Sequence, residues 1–254
     1  MILSCKDIHK SFGGIKAIQG CSFTVKKNKI TAIIGPNGSG KTTMFNVISK
    51  LIDPDSGTIE FDGQDVTSLK DYELSKLGIS RTFQDVKLFQ NLTIREHLQI
   101  ALSDSDERLL SNLFRTKDVE SEKIQEVMEI VGLDKPLETY ATDLSYGQRK
   151  LLDLAIGIAK PHSLLMLDEP VAGVNPRLRD SIKNILRELN NRGESILLIE
   201  HDMNFVMDLV DHIFVMDAGK VIAEGSPEEI QNDPYVLAAY LGNCGDEEEI
   251  ECWT

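Results

Sequence analysis

Three stretches of the chain are apolar at nearly every position: "ITAIIG" (residues 30–35), "SLLMLD" (163–168) and "SILLIE" (195–200). Short unbroken apolar runs bounded by turn residues predict strands buried on both faces. Apolar positions recur at helical spacing over 41–51, 177–192 and 203–210, which predicts amphipathic helices. Strands and helices that alternate in this way build a parallel sheet covered on both faces, an α/β core. Shorter β-like runs over 2–8, 21–25 and 57–63 predict an antiparallel β region at the N-terminal end. "HIFVMDAGKVIAEG" predicts a β pair near the other end.

The middle breaks the alternation. From about residue 92 to 140 the pattern is helical and rich in charge, so 92–160 is expected to be a helical subdomain inserted in the core. Within it, Leu109, Leu110, Leu113 and Phe114 make one apolar stripe. Packing on its own subdomain is the favoured use of such a stripe, ahead of docking on a partner. Pro136 and Thr142 bracket the return. The last stretch, 243–254, ending in "GDEEEIECWT", is expected to be a solvated acidic tail.

Composition narrows the classes. With 254 residues and 41% apolar positions, one large domain over 1–242 has material for a sizeable core. A net charge of −14 argues against sequence-independent nucleic-acid binding, which runs on Lys and Arg. No apolar run reaches the ~18 residues of a membrane span, and "MILSCKDIHKSF" does not read as a secretory signal, so a cytoplasmic location is expected. Cys5, Cys21, Cys244 and Cys252 lack CxxC or zinc spacing and are expected to be free thiols.

The chemistry begins at "GPNGSGKT", Gly35 to Thr42, which fits GxxxxGK[ST] between a predicted strand and a predicted helix. In that context Gly35, Gly38 and Gly40, with Pro36, Asn37 and Ser39, form a loop whose N–H groups point inward at phosphates. Lys41 is placed to reach the β and γ phosphates, Thr42 to ligate Mg²⁺ and Thr43 to reach the α-phosphate. A loop of this kind leaves kinases, GTPases and ATPases open. "LLMLDEP" supplies two carboxylates at a strand end: Asp168, suited to Mg²⁺, and Glu169, suited to a water's proton. No NKxD-type base-reading element for a GTPase is present. His201 follows another core strand, at the edge where α/β sheets hold ligands. Gln84, in "RTFQ", ends an extended stretch from which it can meet Mg²⁺ and water.

One motif needs an anion from elsewhere. In "TDLSYGQRKLLDL" a serine and a glycine stand at the entry to a helix, an arrangement that receives negative charge. With the P-loop, "LLMLDEP" and "IEHD", in this order, "LSYGQ" resembles the signature of the ATP-binding cassette (ABC) ATPases, and the resemblance covers residues 1 to about 242. It implies a P-loop NTPase core with an inserted helical subdomain. The signature there clamps the γ-phosphate of ATP held by a second protomer, here through Ser145, Gly147 and Gln148. Phe12 in "SFGG" corresponds to the aromatic that stacks on adenine, and Gln84 to the Q-loop glutamine. Asp168 corresponds to the Mg²⁺ aspartate, Glu169 to the catalytic base and His201 to the switch histidine. Tyr146 replaces the first signature glycine, and Asn175 stands where many members carry Asp.

"RTFQ", "EPVAGVNP", "IEHDMNFVMDLVD" and "VLAAYLG" are similar to the ATPase subunits of branched-chain amino-acid uptake systems, where Ile156 replaces a common Arg. That likeness implies ATP and Mg²⁺, a homodimer or a heterodimer with a second ABC ATPase, membrane-spanning permease subunits and, indirectly, a solute-binding protein. It places the chain on the inner face of the membrane, with residues 85–98 as the surface for the permease. The urea-uptake ATPases are a neighbouring reading. A translation or DNA-repair ABC ATPase is disfavoured by the single cassette, the lack of a coiled-coil insert and the acidic charge. A nucleotide-binding regulator without turnover is disfavoured by intact Glu169 and His201.

Overall fold

The computed structural model describes residues 1–83, 86–103, 117–234 and 236, with the side chains of 117–120 excepted. Six strands form the central sheet: β3 (Ile30–Ile34), β6 (Ile79–Arg81), β7 (Leu164–Asp168), β8 (Ser195–Ile199), β9 (His212–Asp217) and β10 (Lys220–Gly225). Their order is β10-β9-β3-β8-β7-β6, parallel except for the antiparallel edge strand β10. A second, antiparallel sheet holds β1 (Leu3–Phe12), β2 (Ile15–Val25), β4 (Ser56–Phe61) and β5 (Gln64–Asp65) in the order β2-β1-β4-β5.

Every residue of β3, β7 and β8 is buried. The period-two geometry of a strand sends alternate side chains to opposite faces, and two hydrophobic cores result. Ala32, Ile34, Leu165, Leu167, Ile196 and Leu198 face the helices. Ile33, Leu164, Met166, Leu197 and Ile199 face the antiparallel sheet and α1 (Lys41–Ile48). Both faces of the parallel strands are therefore covered, one of them largely by the second sheet.

The helical insertion is the crossover between neighbouring strands β6 and β7. It contains α3 (Ile94–Leu102), α4 (Lys117–Val131) and α5 (Tyr146–Ala159). Thr93 caps α3 through a reciprocal pair with Glu96. An isolated β-bridge from Thr93 to Tyr140 pinches the insertion, helped by Ile94 N–H to Thr139 O at 3.0 Å and Ala141 N–H to Leu92 O at 3.1 Å. On the core side lie α2 (Asp71–Leu77), α6 (Pro176–Asn191), α7 (Met203–Leu209) and α8 (Pro227–Gln231). Sequence pattern misses α2 and α8 because each is short, and α2 buries only Leu74, while β6 begins the extended stretch expected before Gln84. The stripe from Leu109 to Phe114 and the tail 243–254 lie outside the described residues. Cys5 and Cys21 are free, buried thiols on β1 and β2, as expected.

Candidate active site

The P-loop runs from the end of β3 to the start of α1, and two of its glycines are obligatory. A Cβ on Gly35 would lie 2.0 Å from the Met216 carbonyl oxygen, and one on Gly40 would lie 2.6 Å from that of Ala17. Gly40 is the N-cap of α1 with φ 102°, and no side chain caps the helix. The first-turn N–H groups are thus left for a ligand. Lys41 is buried and folds back on the loop, with Nζ 2.8 Å from Gly35 O and 3.0 Å from Pro36 O. Burial pushes its pKa down to about 8, against the pull of the Glu169 and Asp168 carboxylates. Ser39 is buried, whereas Asn37, Gly38 and Thr42 are exposed and Pro36 and Thr43 half-buried, so the loop's rim faces solvent. Phe12 is 46% exposed, with Lys10 Nζ 5.5 Å from its ring centre, leaving a ring face open for stacking.

Adjacent strands bring the remaining groups to the same edge. In the order β3-β8-β7, the P-loop, His201 and the Asp168–Glu169 pair all follow the C-terminal ends of parallel strands. Asp168 is only 2% exposed, and its Oδ2 accepts a hydrogen bond from Arg81 Nη2 at 3.1 Å. Its Oδ1 is buried without a hydrogen-bond partner. Burial raises the Asp168 pKa, and Arg81 opposes that rise.

Among the described residues no group of three or more His, Cys, Asp or Glu could hold a metal ion alone. One orphaned carboxylate oxygen, on Asp168 at the C-terminal end of β7, instead suits a Mg²⁺ that arrives with phosphates and keeps part of its water shell. The residues present therefore fit that ion.

Glu169 is in the left-handed region with φ 51°, a conformation that costs a non-glycine residue about 1–3 kcal/mol unless its surroundings hold it. They do. Its N–H donates to Ile199 O at 2.9 Å, its carbonyl accepts from Lys150 Nζ at 3.0 Å, and Glu200 Oε1 accepts from the Val171 N–H at 2.8 Å. The Glu169 carboxylate lies 3.1 Å from His201 Nε2. Glu200 also accepts from the His201 N–H at 3.1 Å, so one buried carboxyl ties the two loops together. Burial pushes Glu200 up to about 7 despite these hydrogen bonds.

The signature stands apart from this cluster. Ser145 is the N-cap of α5 and forms a reciprocal pair with Gln148. A Cβ on Gly147 would lie 2.5 Å from Leu178 Cδ2, so a larger residue there has to displace the end of that side chain. Ser145, Gly147 and Gln148 line a cavity of about 820 Å³ with Gly173, Asn175 and Leu178, and no P-loop residue lines it. The Tyr146 hydroxyl donates to Ala172 O at 3.2 Å, so the residue replacing a glycine is a contact to the loop after Glu169. Asn175 caps α6 by accepting from the Leu178 N–H at 2.9 Å, ahead of Pro176 at the first helical position.

Lys41, Asp168, Glu169 and His201 are thus brought together, the signature residues are not, and Gln84 lies outside the described residues. Sequence reasoning missed Arg81, Lys150 and Glu200. Arg81 and Glu200 do carry a signal: each is a charge at the end of a strand, in "ISR" and "SILLIE".

Comparison with known proteins supplies the family. Residues 18–172 match the family model described as ABC transporter, and 220–243 match that of the branched-chain amino acid ATP-binding cassette transporter. The chain is 41% identical to a probable branched-chain amino acid transport ATP-binding protein, LivG, of Archaeoglobus fulgidus, covering 99% of this chain and 98% of the relative. It is 36% identical to the high-affinity branched-chain amino acid transport ATP-binding protein BraF of Pseudomonas aeruginosa, over 95% and 98%. A crystal structure of a nucleotide-free ATP-binding cassette from an ABC transporter superposes with a TM-score of 0.84 at 37% identity, covering 94% of this chain and 98% of that one.

Proposed function

The chain belongs to the ABC transporter ATP-binding family and is an ATPase that energises transport; from that premise we propose that it powers uptake of branched-chain amino acids. The solute assignment is supported by the names of its relatives and by the match over 220–243. The observation that carries the catalytic reading is the convergence of Lys41, Asp168, Glu169 and His201 on one sheet edge, with a buried, orphaned Asp168 Oδ1.

Each residue has its own part in the reaction. Phe12 stacks on the adenine. Loop N–H groups and the Lys41 ammonium, released from the carbonyls of Gly35 and Pro36, take the phosphates. Mg²⁺, when bound, would neutralise charge on the transferring phosphoryl group. Thr42, Asp168 and Gln84 would hold it, and Arg81 keeps Asp168 aimed through its other oxygen. Glu169 accepts the proton of the attacking water. His201, paired with Glu169, fixes the carboxylate and donates toward the γ-phosphate. Ser145, Gly147 and Gln148 serve the nucleotide of a second cassette, because in their own protomer they line a cavity without P-loop residues. The pinch at Thr93 and Tyr140 supports an insertion that starts near 92.

Among the described residues no helix is long and apolar enough to cross a membrane. Transport by relatives named as transport ATP-binding proteins supports permease partners and a peripheral position on the cytoplasmic face. Within 85–98, Ile94, His97 and Leu98 are buried and cannot meet a partner, whereas Phe89 is exposed. The permease contact is better placed at the groove of about 390 Å³ between α2 and the insertion, lined by Leu51, Tyr72, Ile100 and Ile156. Three of these, Leu51, Tyr72 and Ile100, are exposed apolar side chains.

The test of the hydrolytic reading is Glu169→Gln, which keeps size and hydrogen bonding but removes the proton acceptor. Turnover is expected to fall roughly 10²–10⁴-fold with ATP binding retained. Near-parental turnover refutes the assignment. Uptake of labelled leucine, against urea, by the reconstituted transporter tests the solute.

A further inference from the structure

The loop that carries Glu169 is gripped from two directions. From the core, Ile199 O accepts the Glu169 N–H and Glu200 accepts the Val171 N–H. From the helical insertion, Lys150 Nζ donates to the Glu169 carbonyl at 3.0 Å and the Tyr146 hydroxyl donates to Ala172 O at 3.2 Å. Tyr146 and Lys150 are four residues apart on α5, one helical turn, so a single face of the signature helix holds two carbonyls of this loop. Pro170 has no N–H, and the carbonyl of Glu169 takes two donors, the Ala172 N–H of the same turn at 3.2 Å and Lys150 from the insertion, which makes it the point where the turn and the signature helix are joined.

Lys150 is an unusual residue to find there. It is 5% exposed, on a helix whose other buried positions are apolar or glycine. Burying an ammonium is unfavourable unless acceptors surround it. It lines a small internal space with Thr82, Phe83, Asp153, Asp168 and Pro170, between the insertion and the catalytic strand ends. The Asp153 carboxyl beside it is pushed up to about 6 by burial and pulled back by Lys150. A leucine or methionine would fill the same volume, but neither can bind a carbonyl.

We propose that Lys150 is a positioning residue for ATP hydrolysis, holding the strained Glu169 turn on the signature helix of its own protomer. The proposal rests on the reading of Glu169 as the general base. The signature helix then acts twice, since its N-terminus serves the nucleotide across the interface and its next turn sets the carboxylate at home. A rotation of the insertion against the core moves the Glu169 carbonyl while Ile199 and Glu200 hold the neighbouring N–H groups. The orientation of the carboxylate therefore follows the position of the insertion.

The test compares Lys150→Met and Lys150→Arg, each alone and combined with Glu169→Gln. Lys150→Met is expected to lower kcat roughly 10-fold or more, as small misplacements of a catalytic group do. KM for ATP should stay within about twofold, the pattern of an interaction that acts only on the chemical step. Lys150→Arg, which keeps a donor, should recover most of the loss. In the Glu169→Gln background, single-turnover hydrolysis should be unchanged by Lys150→Met, since there is no base left to misplace. A parental kcat in Lys150→Met overturns the proposal. So does a rise in KM equal to the loss in kcat, a failure of Arg to rescue, or an effect of full size in the Glu169→Gln background. If Lys150→Met does not fold, Lys150→Gln enters the same comparison. Failure of the base assignment is read separately, as near-parental turnover of Glu169→Gln with Lys150 intact.

Discussion

Glu200 offers a prediction that can be worked through in energy. Its carboxyl is buried at the end of β8 and titrates at about 7, against an ordinary 4.5. The folded protein therefore keeps this proton over a range where the unfolded chain has lost it. Stability rises with pH only where the unfolded state binds more protons; here the folded state binds more, so this group's contribution falls as pH rises from 4.5 and levels off above 7. A displacement of that size corresponds to about 3 kcal/mol. Glu200→Gln has nearly the same shape, retains an acceptor for the Val171 N–H and never ionises. The stability of the parent relative to Glu200→Gln should thus drop by about 3 kcal/mol between about pH 4.5 and about pH 8. Urea unfolding of both proteins across this range measures it, and subtraction removes every other titrating group. A difference that stays flat within about 0.5 kcal/mol, an uncertainty set by the extrapolation, refutes the assignment of a costly buried charge. Glu200→Ala serves as the contrast. It strands the N–H groups of Val171 and His201, at about 1–3 kcal/mol each, and measured against Glu200→Gln that penalty should hardly depend on pH, because neither variant titrates at this position.

Two further outcomes follow from the site. Lys41→Ala should lower turnover roughly 10²–10³-fold, the loss seen when a preorganised electrostatic group is removed; labelled ATP turned over at the parental rate would remove the cradle from the mechanism. Mixing Lys41→Ala with Gly147→Asp, each nearly inactive alone, should restore part of the activity, because one of the two composite sites then carries neither defect. The aspartate brings bulk against Leu178 and a negative charge to the signature. A parent–mutant heterodimer that is active beside a mixture that stays inactive would mean that the signature works in cis or not at all.

The chemical vocabulary of this protein was legible in its linear order. "GPNGSGKT" after an apolar run is a phosphate loop because glycines with inward N–H groups and a lysine at a helix start have few other uses. "SLLMLD" and "SILLIE" announce buried parallel strands, and every residue of β7 and β8 is buried. Such signals are local: composition and spacing over about five to eight residues carry them. The same locality explains what escaped. α2 and α8 are seven and five residues long, and each buries a single residue, Leu74 or Ile230, which leaves no helical stripe to read. Asn175 looks like a departure from a catalytic loop until α6 is seen to need its cap.

What links the motifs depended on packing across long separations in the chain. Arg81 meets Asp168 across 87 positions, Glu200 meets Val171 across 29, and Lys150 meets Glu169 across 19. None of these pairs has a spacing rule, since each depends on the strand order β3-β8-β7-β6 and on where the insertion rests against it. Side-chain chemistry is written residue by residue, so the glycine-rich loop with its lysine and the two strand-end carboxylates could be picked out from it. The backbone strain at Glu169 and the burial that sets the proton affinity of Glu200 arise only when distant segments close around them, because desolvation and hydrogen-bond geometry are properties of the folded neighbourhood.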